Sequence, residues 1–155
     1  MIQRIQSLLL FVAAVCLAVA CFMPVGTIVT SDTYYIITSW AVKINIPNGE
    51  TVSLTYYIGL LQVVIAIFSI VVLFSYKKRP LQSRLCLAAM FLNFILLAVM
   101  LWVYPDIILP KLLVGGKIQY SLWTMLSILP LVCFYLANKL ILKDEKKMRA
   151  ADRLR

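Results

Sequence analysis

The sequence contains no histidine. That absence removes His-ligated zinc and haem sites and every imidazole general base. Charge is scarce: 14% of residues are Asp, Glu, Lys or Arg, where a soluble domain carries about a quarter. Acid is scarcer still, with 6 Asp and Glu against 15 Lys and Arg. The four cysteines include no C-x-x-C pair, so a dithiol redox motif is lacking. Two stretches lack charge altogether, Tyr56 to Tyr76 (YYIGLLQVVIAIFSIVVLFSY) and Leu85 to Tyr104 (LCLAAMFLNFILLAVMLWVY). Charge inside the membrane marks ion and proton paths. None occurs within the apolar runs before Lys139, which can snorkel to a surface, so a transporter or pump is disfavoured.

What is present is apolar surface, 63% of the chain by residue. Each charge-free run holds about 20 residues, and a helix rising about 1.5 Å per residue crosses a ~30 Å hydrocarbon core with that length. Between them lies KKRPLQSR, which reads as a basic cytoplasmic loop with Pro80 inside it. The expected helices are residues 5–23, 56–76, 85–104 and 120–142, followed by a charged cytoplasmic tail, 143–155. One bundle accounts for all 155 residues as a single membrane domain.

The first run, Ile5 to Met23, admits two readings. It is a membrane helix closed by Pro24, or a signal peptide cut after Ala18-Val19-Ala20 with Cys21 in the position of a lipoprotein acceptor. Ala18 stands where lipoproteins carry Leu, and Phe22 follows Cys21 where they carry a small or polar residue. Small residues also suit helix contacts. A retained helix is the expectation.

Between the first two helices, Val42, Ile44 and Ile46 alternate with polar residues, as do Val52 and Leu54, around Pro47-Asn48-Gly49-Glu50. This predicts an outer β-hairpin within residues 33–55. A two-residue Asn48-Gly49 turn would set Ile46 opposite Thr51, apolar against polar. A three-residue loop, Asn48 to Glu50, sets Ile46 opposite Val52 and Ile44 opposite Leu54, and is the expected register. Residues 105–119, with two prolines and Gly115-Gly116, break any helix; they lie at the interface or add a strand.

With the amino terminus inside, twelve cations fall on inner segments and three, Lys43, Lys111 and Lys117, on outer ones. Both termini are therefore expected in the cytoplasm. Tyr56, Tyr57, Trp102, Tyr104, Tyr120 and Trp123 then fall at the outer interface, where aromatic belts lie. The +9 charge follows membrane topology, so nucleic acid is not an expected partner.

No residue set names a reaction, and no catalytic, cofactor or metal site is assigned. The cysteines Cys16, Cys21, Cys86 and Cys133 read as small packing residues. Helices in lipid associate through small residues and side-chain hydrogen bonds. On the second helix Gly59, Gln62, Ala66 and Ser69 form one stripe; on the third, Cys86, Ala89 and Asn93 do. Two interhelical polar layers are expected, Ser69 with Asn93 toward the inner leaflet and Gln62 with Ser127 toward the outer. Lys77, Lys78, Arg79 and Arg84 are candidate contacts for anionic lipid. Asp32, Glu50 and Asp106 are the carboxylates on which an enzyme or carrier acting on a lipid would draw.

The opening Met-Ile-Gln-Arg-Ile-Gln-Ser, the outer segment of roughly 30 residues, the two closely spaced helices with a basic turn and the charged tail resemble a family of small uncharacterised four-helix bacterial inner-membrane proteins, a domain of unknown function. The likeness spans the whole chain in hydropathy. It implies a multi-pass inner-membrane location and carries over no functional residue. The layout is also similar to claudin-like four-helix proteins, whose first outer loop forms a sheet. Those carry a Cys pair in that loop beside a Trp motif; here Trp40 stands without cysteine, so the likeness is architectural.

The expectation is an all-α membrane protein, a four-transmembrane-helix bundle with a small extracytoplasmic β-hairpin. Its expected role is non-enzymatic, as an accessory or scaffold subunit of a larger membrane complex or a lipid-binding protein. The expected partners are membrane lipids and either another membrane protein or further copies of the chain.

Overall fold

A computed structural model describes residues 2–29, 34–44, 51–54, 56–77, 79–102 and 117–153. Among the described residues the α-helices are α1 (Ile2–Ala20), α2 (Tyr56–Phe74), α3 (Arg79–Ala98) and α4 (Met125–Arg153). Each packs on its chain neighbour, and α4 closes the ring against α1. Three apolar segments are long enough to cross a membrane: Tyr56–Phe74, Pro80–Trp102 and Leu122–Met148; Ile5–Ala20 of α1 is apolar and shorter.

Side chains at alternating steps of three and four residues build the core. α1 buries Gln6, Leu10, Ala13, Leu17 and Ala20, and α2 buries Ile58, Gln62, Ile65, Ser69 and Val72. α3 buries Gln82, Cys86, Ala89, Asn93 and Leu96, the turn after it buries Met100, and α4 buries Ser127, Phe134, Ala137 and Ile141. Such spacing keeps one seam of each helix toward the axis and suits packing at a shallow crossing angle. The same helices turn Leu8, Phe11, Phe74, Phe91, Phe94 and Leu129 outward.

The α2–α3 link is shorter than a basic loop over 77–84 would make it. Ser75–Lys77 form one 3₁₀ turn and α3 begins at Arg79. Pro80 occupies the first turn of the helix, where its fixed φ favours helix and its missing N–H costs no bond. Gln82 and Ser83, read as loop residues, are buried inside the bundle. At the other end α3 runs into a π-type turn over 99–102. α4 continues unbroken through Pro130 to Arg153, so the charged tail is largely helical.

The expected hairpin is a five-stranded antiparallel sheet. Its strands are β1 (Pro24–Val29), β2 (Tyr34–Thr38), β3 (Ala41–Ile44), β4 (Thr51–Leu54) and β5 (Lys117–Tyr120), in the order β4-β3-β2-β1-β5. Pro24, read as a helix stop, opens β1, and α1 ends at Ala20. β1 follows α1, β4 leads into α2 and β5 precedes α4, so the sheet caps one end of the bundle. Gly26 permits β5 to close on β1: a Cβ there would lie 2.8 Å from the Gln119 carbonyl oxygen.

The hairpin register also differs from expectation. Ala41 faces Leu54, Val42 faces Ser53 and Lys43 faces Thr51, with an irregularity between Val42 and Lys43. The corner before β3 is tied to α2, since the Gly59 N–H donates to the Ser39 carbonyl at 2.9 Å. That tether places β3 relative to β4 and overrides local alternation. The Asn48 to Glu50 turn lies outside the described residues.

Candidate functional site

Three hydrogen bonds fix how far the helices stand along one another. Gln82 Nε2 donates to the Val72 carbonyl at 3.3 Å, which levels α2 with α3. Ser83 Oγ donates to Asn138 Oδ1 at 2.8 Å, and Cys86 Sγ lies 3.2 Å from the Phe134 carbonyl, which levels α3 with α4. Seven residues along α3 from Cys86 is Asn93; seven back along α4 from Phe134 is Ser127. Ten residues back from Val72 is Gln62, and eleven on from Gln82 is Asn93. Asn93, Gln62 and Ser127 therefore share one level of the bundle.

The level is polar and closed. Gln62, Asn93 and Ser127 are each 0% exposed. Gln62 Nε2 donates to Ser127 Oγ at 3.3 Å, a bond between α2 and α4, which are opposite one another in the ring. Among the described residues Gln62 Oε1, Asn93 Oδ1 and Asn93 Nδ2 have no partner. Thr124, one turn before Ser127, donates to the Val25 carbonyl at 2.7 Å, which sets this level directly beneath the sheet.

The expected Ser69–Asn93 pair is not formed. Ser69 Oγ donates to the Ile65 carbonyl of its own helix at 2.8 Å. With α3 starting at Arg79, Ser69 comes level with Cys86, and Asn93 stands about two turns higher. Counting from the centre of a longer loop hid that offset.

A second feature was not apparent from sequence. Trp40 folds down from the β2–β3 corner, its Nε1 donating to the Cys21 carbonyl at 2.9 Å. Its ring covers Gly59, where a Cβ would lie 2.7 Å from Trp40 Cδ2. Thr38 Oγ1 accepts from the Ala41 N–H at 3.1 Å and closes the corner. Below Trp40, α1 and α2 leave an apolar groove of about 310 Å³ whose floor includes Ala14, Ala18 and Ala66. Only the Gly in α2 hinted at this, by allowing close approach.

Cys16, Cys21, Cys86 and Cys133 are free thiols, all buried. Among the described residues no group of three or more His, Cys, Asp or Glu could hold a metal. Arg84 is exposed on α3. The side chains of Lys77 and Arg79, and all of Lys78, lie outside the described structure, as do Asp32, Glu50 and Asp106.

No curated protein sequence matches the chain. A family described as Domain of unknown function (DUF4293) matches residues 2–154, which is the bundle and its sheet together, and the chain belongs to that family.

Proposed function

We propose that the protein is a four-span protein of the bacterial cytoplasmic membrane, with both termini inside and the sheet outside. Its role is that of a non-enzymatic accessory or scaffold subunit within a larger membrane complex. The observation that carries this is an exterior as apolar as the core, with polar side chains held inside. Phe11, Phe74, Phe91, Phe94 and Trp102 face outward while Gln62, Asn93 and Ser127 face the axis. Only a hydrocarbon solvent, or a partner's apolar helix, accepts such an exterior without penalty. α1 counts as the fourth span because it is apolar and runs along α2 and α4 in the same slab. Tyr56, Tyr57, Trp102, Tyr120 and Trp123 are exposed at the sheet end, which suits an outer aromatic belt. The cations Lys77, Lys78, Arg79 and Arg84 follow one another at the opposite link, where anionic head groups would meet them.

Lipid binding is a second reading, favoured by the groove beneath Trp40, whose lining is apolar throughout. One acyl chain is its proposed occupant. Purification in mild detergent, with native mass spectrometry of what stays bound, tests both readings. A stoichiometric membrane protein supports the scaffold role. A retained lipid that is lost on Ala18→Phe, with the fold kept, supports the groove. A bare monomer in both preparations overturns both.

A further inference from the structure

We propose that Gln62, Asn93 and Ser127 form a binding site for a buried water molecule that bridges α2, α3 and α4. The three side chains share a level and are wholly enclosed, yet Gln62 Oε1, Asn93 Oδ1 and Asn93 Nδ2 meet no partner among the described residues. A buried amide without partners costs more than a hydrogen bond returns, so unmet groups at one level imply something between them. Asn93 lies on the helix between the two that Gln62 and Ser127 join across the axis. Polar groups that approach one another but stay beyond about 3.5 Å are the setting in which a water bridges.

The unmet set selects the species. Two carbonyl oxygens need donors, and one amide nitrogen needs an acceptor. A cation would serve the oxygens and be repelled by the Asn93 N–H groups. An anion would serve the nitrogen and be repelled by both oxygens. Water offers two donors and two acceptor sites, and so answers all three groups. Exchanging O and N of either amide leaves a mixed set of donors and acceptors, so the choice survives that ambiguity. Pro130, three residues after Ser127, cannot give the helical N–H to the Leu126 carbonyl and so leaves a further acceptor close by. Buried waters hold about three such partners.

The test uses the full chain in lipid bilayers. Water-edited solid-state NMR should transfer magnetisation from water to the Asn93 side-chain amide protons, and Gln62→Met should weaken that transfer. No transfer to Asn93 in the unmodified protein overturns the proposal. Melting in detergent gives an independent arm. Asn93→Leu should lower the midpoint by a few degrees, and its effect should not add to that of Gln62→Met, because both residues hold one water. A higher midpoint for Asn93→Leu would mean that the amide was merely an orphan, and also overturns the proposal.

Discussion

The Trp40 ring lies 2.7 Å from the point where a Cβ on Gly59 would stand. The indole cannot retreat freely, because its Nε1 is held by the Cys21 carbonyl at 2.9 Å. One ring thus joins the end of α1, the β2–β3 corner and the start of α2. Gly59→Ala should gain at most about 1 kcal/mol of helix propensity. Forcing the ring aside should cost about 1–3 kcal/mol. The variant is therefore expected to melt earlier than the parent in detergent, and an unchanged or higher midpoint would count against a fixed ring.

Gly26 provides the corresponding test on the sheet. A Cβ on it would lie 2.8 Å from the Gln119 carbonyl oxygen, and beside it the Ser121 N–H donates to the Val25 carbonyl at 2.9 Å. Gly26→Val should detach β5 from β1 while leaving the helices formed. Hydrogen exchange should show faster exchange at Gln119 and Ser121, whose N–H groups face β1, with little change at Ile65 or Ala89. Equal protection in both proteins would show that β1 and β5 do not depend on that gap.

Much of this fold is legible in the sequence, because a 20-residue run without charge has few alternatives to a helix. The α3 start at Arg79 was not legible. Four cations around Pro80 look like a loop, although proline is also a good first-turn residue. That one misplacement moved Asn93 about two turns and assigned it the wrong neighbour. The sheet register failed for a different reason. Alternation around Asn48-Gly49 is local information, whereas the bond between Gly59 and Ser39 is not. The inward placement of Gln62 and Asn93 was readable from stripe spacing, and the pairing of Gln62 with Ser127 from their depth along the helices; what Asn93 meets was not.

The first helix gives a mass-spectrometric prediction. Leu10, Ala13 and Leu17 are wholly buried against the other helices, and α1 fills the side of the ring between α2 and α4. Removing it would bare the apolar seam that now packs on these residues. The purified protein should therefore retain Leu10 to Leu17, as read from its intact mass. A chain beginning at Cys21 would show that this helix is cut away as a signal.

The orientation is open to direct measurement. In the proposed four-span arrangement twelve of the fifteen cations fall on one side, with Arg79 on that side and Asn48 on the other. Long sheet-forming segments translocate with little regard to charge, but the short link between α2 and α3 does not, so its basic residues decide the outcome. With the four native cysteines replaced by Ala, Asn48→Cys should react with an impermeant maleimide on intact cells. Arg79→Cys should react only after the cells are opened. The reverse pattern would place the sheet in the cytoplasm, and with it the aromatic belt and the polar level that lies beneath the strands. Labelling of both positions on intact cells would mean that α2 and α3 do not form a hairpin across the membrane.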